Sequence, residues 1–241
     1  MGVYNNILSS IDKGKKLLAV LIDPDKTKKE NLEFFLRKIN STVATHLFVG
    51  GSTVNENVMD DYISEIKKHT MLPIVIFPGD VSQISNEADA ILFLSLISGR
   101  NPEYLIEKQV QAVSKLKNSE LEIIPTGYLL IENGKETAVQ RVSQTQPLKR
   151  NDVKLIADTA KAGEYLGKKL IYLEAGSGAK HPTPPEIITI VKKTLNIPLI
   201  VGGGIRNIEQ LEKAFNSGAE MVVIGTAFEE NEDFYKQLIK T

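Results

Sequence analysis

Eight times along this chain a short apolar run ends in a polar or glycine-bearing junction, and after all but the third a segment with helical spacing follows. That alternation is the strongest constraint on the fold, because strand-helix repeats bury both faces of a parallel sheet. The first run, Leu17 to Ile22, is unbroken, as a strand covered on both sides requires. A short leading helix over Val3 to Lys16 precedes it, with Ile7, Leu8 and Ile11 on one face. The helix from about Lys28 to Ile39 carries Leu32, Phe35, Leu36 and Ile39 at helical spacing. Thr45 to Val49, Pro73 to Phe77, Ala90 to Leu96, Leu121 to Ile124, Lys169 to Leu173, Ile197 to Val201 and Met221 to Ile224 supply the other strands. Helices are expected over Asn55 to His69, Pro102 to Lys117, Asn151 to Leu166, Pro184 to Thr194, Ile208 to Ser217 and Phe228 to Ile239. The expected class is α/β: a single (β/α)8 TIM barrel over residues 1–241, a length typical of one such domain.

Two places break the rhythm. Only residues 79–89 separate the third and fourth strands, whereas a crossover with its helix takes at least about ten to twelve residues. Helix three is therefore expected to be short or missing, which would expose a strand flank or leave a groove. A polar stretch from Glu132 to Arg150, with Asn133-Gly134 near its start, is expected to be a long loop acting as a lid or substrate loop.

In such a barrel the chemistry lies where strands end. The strand-end residues are Asp23, Ser52, Pro78, Ser95, Thr126, Tyr128, Glu174, Gly202 to Gly204, and Gly225 with Thr226. After strand seven come Gly202-Gly203-Gly204-Ile205-Arg206, and after strand eight Gly225-Thr226. Two successive strand-glycine-helix junctions at these positions match the phosphate cradle of many barrels, in which bare backbone N–H groups face an anion. The plainer alternative is that the glycines only make tight turns. Gly176-Ser177-Gly178 after strand six adds a third N–H-rich turn, and the expected ligand is a small dianionic phosphate. Tyr172 and Glu174 alternate onto one side of strand six. Glu174 could be a general base, an anchor for a substrate hydroxyl or a partner for a lysine. Asp23, directly after an apolar run, suits Mg²⁺ shared with substrate phosphates. The plainer reading is that Asp23-Pro24-Asp25 is a turn with a helix cap, a common use of aspartate.

Other classes fall away on composition. A net charge of −1 gives no electrostatic footprint for nucleic acid. The chain has no cysteine, which excludes disulfides, thiolate zinc sites and a cysteine nucleophile. The first thirty residues lack the pattern of a secretory signal and no apolar run is long enough to span a bilayer, so a cytoplasmic protein is expected. His46, His69 and His181 have no metal-ligand spacing and read as structural or exposed. Arg100 could meet an anionic substrate, or its neighbours could cap a helix. The lysines read mostly as solvated helix faces.

Taken together, Leu21-Ile22-Asp23-Pro24-Asp25-Lys26, Val49-Gly50-Gly51-Ser52, Ile76-Phe77-Pro78-Gly79, Pro125-Thr126-Gly127-Tyr128, Tyr172 to Gly178, Val201 to Arg206 and Val223-Ile224-Gly225-Thr226 resemble the geranylgeranylglyceryl phosphate synthase family. The resemblance runs from about residue 17 to residue 230. It is closer to the group with the DPDK form than to the bacterial heptaprenyl branch, which has a lysine where this chain has Leu21. It implies a prenyltransferase that joins sn-glycerol 1-phosphate to an all-trans polyprenyl diphosphate, such as geranylgeranyl diphosphate, with Mg²⁺, in ether phospholipid biosynthesis. By that resemblance Asp23 and Ser52 bind the magnesium. Tyr172, Leu173, Glu174, Ala175, Gly176, Ser177 and Gly178, with Gly203, Gly204, Gly225 and Thr226, hold glycerol 1-phosphate. Glu174 is the proton acceptor, with Tyr172 beside it as the second catalytic residue. The family also implies a missing helix three with the prenyl chain in the resulting groove, a homo-oligomer (dimer or hexamer), and no stable membrane anchor. The alternatives are another phosphate-handling barrel, such as a sugar-phosphate isomerase or a thiazole or pyrimidine phosphate transferase, and a catalytically silent phosphate-binding regulator.

Overall fold

In a computed structural model, eight parallel strands pair in sequence order and close, the first with the last. The structure describes residues 2–51, 59–225, 227–228 and 231–240. The strands are β1 (Leu17–Ile22), β2 (His46–Val49), β3 (Ile74–Ile76), β4 (Ala90–Leu96), β5 (Glu122–Leu130), β6 (Leu170–Glu174), β7 (Leu199–Gly202) and β8 (Met221–Ile224). The helices are α1 (Val3–Asp12), α2 (Leu32–Asn40), α3 (Met59–Lys67), α4 (Lys108–Leu116), α5 (Ala138–Ser143), α6 (Val153–Tyr165), α7 (Pro185–Thr194), α8 (Ile208–Asn216) and α9 (Glu232–Gln237).

Side-chain alternation divides the core into two layers. Outward-facing Val20, Ile22, Leu47, Val49, Ile171, Leu173 and Val201 pack against the helices. Leu32, Leu36 and Ile39 of α2, spaced one helical turn apart, are fully buried against them. Each such side chain contributes ~1.5–3 kcal/mol by leaving water. Inward-facing Ala19, Phe48, Val75, Leu92, Ile124, Tyr128, Tyr172, Ile200 and Val223 fill the barrel. Val3 and Ile7 of α1 belong to the same inner cluster, and the Tyr4 amide at the start of α1 donates to the Glu122 carboxylate of β5 at 3.2 Å.

The helix between β3 and β4 is absent, as the spacing predicts: a single 3-10 turn over Val81–Gln83 joins the two strands. Strand five, however, does not stop at Ile124 but continues to Leu130, so Thr126 and Tyr128 lie within it. Pro125 interrupts nothing, because its carbonyl accepts from the Lys169 amide while β6 begins only opposite Thr126. The donor that proline lacks would point to chain ahead of β6. Thr126 is fully buried, with its hydroxyl donating to the Ile124 carbonyl, and the Ser95 hydroxyl donates to Leu105; neither is a free group at the active face. The stretch 132–150 is not a bare loop either. It holds α5, capped by the Thr137 hydroxyl accepting from the Gln140 amide, and Leu148 bridges back to Ile131. The leading helix ends at Asp12 rather than Lys16, and the segment from Glu103 opens with a turn of π-helix before α4.

Candidate active site

A cavity of about 1040 Å³ opens at the C-terminal ends of the strands and runs down one side of the barrel. At its upper end it is lined by Asp23, Tyr172, Glu174, Gly176, Ser177, Gly178, Gly203, Gly204 and Gly225. Among the described residues, the backbone N–H groups of Ser177, Gly178, Gly203, Gly204 and Gly225 take no protein acceptor. Three junctions thus present unspent donors to one space, which suits a phosphate. Ala175 is different, since its N–H donates to the Gly202 carbonyl, and the Leu173 side chain faces the helical layer. Ser52 and Thr226 lie outside the described residues.

Glu174 stands at the junction of this cradle with the barrel interior. Its Oε1 accepts from the Gly176 amide, and the Tyr172 phenol stands close to the same carboxylate. Burial outweighs the pull of the Gly176 amide and the nearby Tyr172 hydroxyl and pushes its pKa up to about 7. Tyr172 and Tyr128 are buried beside it, and burial together with the glutamate charge raises both phenols well above their usual range, so they remain donors. Phe77 stacks on Tyr172 with ring centroids 5.3 Å apart and 8° between planes, and Tyr128 lies 5.4 Å from Tyr172. These rings form an apolar floor that keeps the glutamate in a low-dielectric setting.

Asp23 makes the turn that one of its sequence readings gives it. Its Oδ1 accepts from the Asp25 amide at 3.1 Å, closing a turn, and the carboxylate also faces the cavity. Burial raises its pKa, with the Asp25 N–H and Lys26 acting against that rise; Lys26 Nζ is 3.9 Å away. Gly51 makes the close packing possible, because a Cβ there would overlap Asp23 Oδ1. A half-buried carboxylate open to a cavity rich in free amides fits Mg²⁺ held jointly with a substrate phosphate. No cluster of three or more His, Cys, Asp or Glu able to hold a metal occurs among the described residues.

The lower part of the cavity is the groove left by the missing helix. Ile91 and Phe93, on the outer face of β4, line it together with Ile84, Ala112 and the α5 residues Val139 and Val142. The residues of this wall were not picked out from sequence, although the short β3-to-β4 spacing marked the flank. Arg100 is not part of the cavity wall: its guanidinium donates to the carbonyls of Ile97 and Gly99, while Asn101 accepts from the Glu103 amide. His46 is buried in the lower barrel and His69 is bonded to Glu65 at 3.1 Å.

The PcrB family matches residues 11–241. The chain belongs to the PcrB family. It is 58% identical to a geranylgeranylglyceryl phosphate synthase of Flavobacterium johnsoniae, covering 97% of this chain and 96% of that protein. A geranylgeranylglyceryl phosphate synthase of Pyrococcus abyssi is 42% identical over 92% of this chain and 88% of its own. The crystal structure of (S)-3-O-geranylgeranylglyceryl phosphate synthase from Thermoplasma acidophilum, in complex with sn-glycerol-1-phosphate, superimposes with a TM-score of 0.92 at 35% identity, covering 99% of this chain and 96% of that one. As a PcrB-family member related to these synthases, the chain fits the prenyl-transfer reading of its cavity better than that of an isomerase or another phosphate transferase.

Proposed function

We propose that this chain transfers a geranylgeranyl or related polyprenyl group from its diphosphate to a hydroxyl of sn-glycerol 1-phosphate, in the cytoplasm, with Mg²⁺ as cofactor. The observation that carries this reading is the continuity of one cavity from the amide-rich cradle, past Glu174, to the apolar flank of β4. An isomerase of small sugar phosphates has no use for that second half. A long apolar tail does, at roughly 0.8 kcal/mol per buried CH₂.

The phosphate of the acceptor sits against the free amides of Ser177, Gly178, Gly203, Gly204 and Gly225. Its hydroxyl approaches Glu174, whose carboxylate is fixed by the Gly176 amide beside the Tyr172 ring. The prenyl tail lies along Ile91, Phe93 and Ala112, which brings its first carbon toward the same carboxylate. As the glycerol oxygen forms its bond to that carbon, the carbon–oxygen bond to diphosphate breaks and diphosphate leaves with the electron pair. The hydroxyl proton passes to Glu174. A base with a pKa near 7 suits this step, since about half of it is ionised in neutral solution and it still accepts a proton readily. Asp23, with Ser52 by family resemblance, would hold the magnesium, which supplies positive charge to the leaving diphosphate. Orientation of the two substrates accounts for much of the remaining acceleration.

The chain is also proposed to act as a homo-oligomer, a dimer or a hexamer. Ile106, Val110 and Val113 form an apolar stripe along the α4 segment and are 56%, 64% and 54% exposed. Such a stripe is a natural contact for a second copy.

The deciding experiment incubates radiolabelled sn-glycerol 1-phosphate with geranylgeranyl diphosphate, with and without Mg²⁺, and counts the organic extract. Magnesium-dependent counts that vanish in Glu174→Gln support both transfer and base. No extractable counts with any prenyl length, from folded protein that still binds glycerol phosphate, would overturn the reading.

A further inference from the structure

The segment between β5 and α5 brings an uncommitted cation to the amide cradle. Asn133 is buried, its Oδ1 accepts from the Lys135 amide at 3.2 Å, and its carbonyl accepts from the His181 amide at 3.2 Å. Gly134 between them has a φ of +90°, a left-handed conformation that favours glycine. This turn is thereby fastened to the β6–α7 loop, and the exposed Lys135 reaches back over Gly178. Its Nζ lies 3.2 Å from where a Cβ on Gly178 would stand, and the lysine lines the cavity.

The other cations of the cavity wall are engaged. Lys26 faces Asp23 at 3.9 Å, Lys108 is paired with both Asp80 and Glu103, and Arg206 donates to the Ala179 carbonyl at 2.9 Å. Among the described residues, the Lys135 ammonium has no partner. It stands beside the Ser177 and Gly178 amides, which are also unspent. Backbone amides provide directed donors but no net charge, and a dianionic phosphate held by them alone leaves its charge uncompensated. An ammonium at the rim, with three rotatable donors, supplies that charge.

We propose that Lys135 is a substrate-binding residue that contacts the phosphate of the acceptor, an inference that rests on the glycerol-phosphate reading given above. Its role is to favour phosphorylated glycerol over glycerol itself. The donor diphosphate is expected on the Asp23 side of the cavity, away from Gly178, so Lys135 acts on one substrate and not the other.

The test compares wild type, Lys135→Met and Lys135→Arg in two assays: steady-state prenyl transfer and calorimetric titration of the free protein with inorganic phosphate. Lys135 is exposed, so its variants keep the fold. In Lys135→Met, KM for sn-glycerol 1-phosphate should rise about tenfold, as loss of one partly solvated charge-assisted hydrogen bond predicts, and phosphate affinity should fall similarly. KM for the prenyl diphosphate and kcat should stay within about twofold, and Lys135→Arg should recover most of the loss. Unchanged KM and unchanged phosphate affinity would overturn the proposal, as would a rise confined to the prenyl KM or a wild type with no measurable phosphate site. Should the wild type transfer no prenyl group, the phosphate titration decides alone. Weaker binding in Lys135→Met then keeps Lys135 at the anion site while the transfer reading falls.

Discussion

Gly203 packs so closely on Glu174 that a Cβ at this glycine would overlap Glu174 Oε1 and lie 2.9 Å from the Ala175 nitrogen. The glycine has a φ of +83°, so an alanine there meets backbone strain and a clash at once. Gly203→Ala should abolish prenyl transfer and lower stability by about 1–3 kcal/mol, read by turnover and thermal unfolding. Gly14→Ala is the matched control: its φ is +70° but nothing lies within 4 Å of the added Cβ. It should cost about 1 kcal/mol and leave turnover unchanged. Equal activity losses in the two variants would show that strain, not the contact with Glu174, is responsible.

Two buried groups should pull stability in opposite directions with pH. Glu174 has its pKa raised by burial from 4.5 to about 7, so the folded state holds its proton over that window while the unfolded chain releases it. Its contribution is full below pH 4.5 and is lost as pH rises through 7, on the order of 3 kcal/mol in total. His46 is lowered by burial from 6.5 to about 4, so its contribution is full above pH 6.5 and is lost as pH falls toward 4, by a similar amount. Between pH 4.5 and 6.5 the slopes oppose each other, and wild-type stability should change little. In Glu174→Gln, denaturant midpoints should rise steeply with pH across that range; in His46→Leu they should fall. Parallel curves for all three proteins would rule out the linkage.

Activity has its own pH dependence. Glu174 must be ionised to accept a proton, so kcat/KM should rise through about pH 7 and level above it. A rate independent of pH between 5 and 8 would count against its role as base.

Asp23→Asn keeps the Oδ1 that accepts from the Asp25 amide but removes the charge. Its magnesium requirement should shift upward about tenfold or more, with little change in the unfolding temperature. A magnesium titration identical to wild type would remove Asp23 from the cation site.

The groove over β4 and the stripe on α4 can be tested separately. Ala112→Phe places a ring in the groove and should raise KM for geranylgeranyl diphosphate while sparing a shorter prenyl diphosphate; equal kinetics for both lengths would mean the tail lies elsewhere. Val110 is exposed on the other side of the segment, and Val110→Arg should reduce the sedimentation mass of an oligomer without unfolding it. An unchanged mass would move the contact to another face.

The strand-helix alternation determined the barrel, because burial on two faces leaves unbroken apolar runs such as Leu17–Ile22 that nothing else explains. The spacing of residues 79–89 determined that one helix would be absent, and strand ends marked Asp23, Glu174 and the glycine junctions as the active face. Tertiary structure alone decided the rest. The reach of β5 to Leu130 depends on hydrogen bonds to β4 and β6, which no local propensity records. The pKa of Glu174 depends on Tyr172 and the rings packed around it, and the depressed pKa of His46 on its burial within the barrel. Lys135 meets Gly178 only because the Asn133 turn is bonded across to His181, and α5 walls the groove only because the stretch after β5 folds back through Leu148. Periodicity reports which face of an element is buried; which distant residues then share a cavity is set by closure of the barrel.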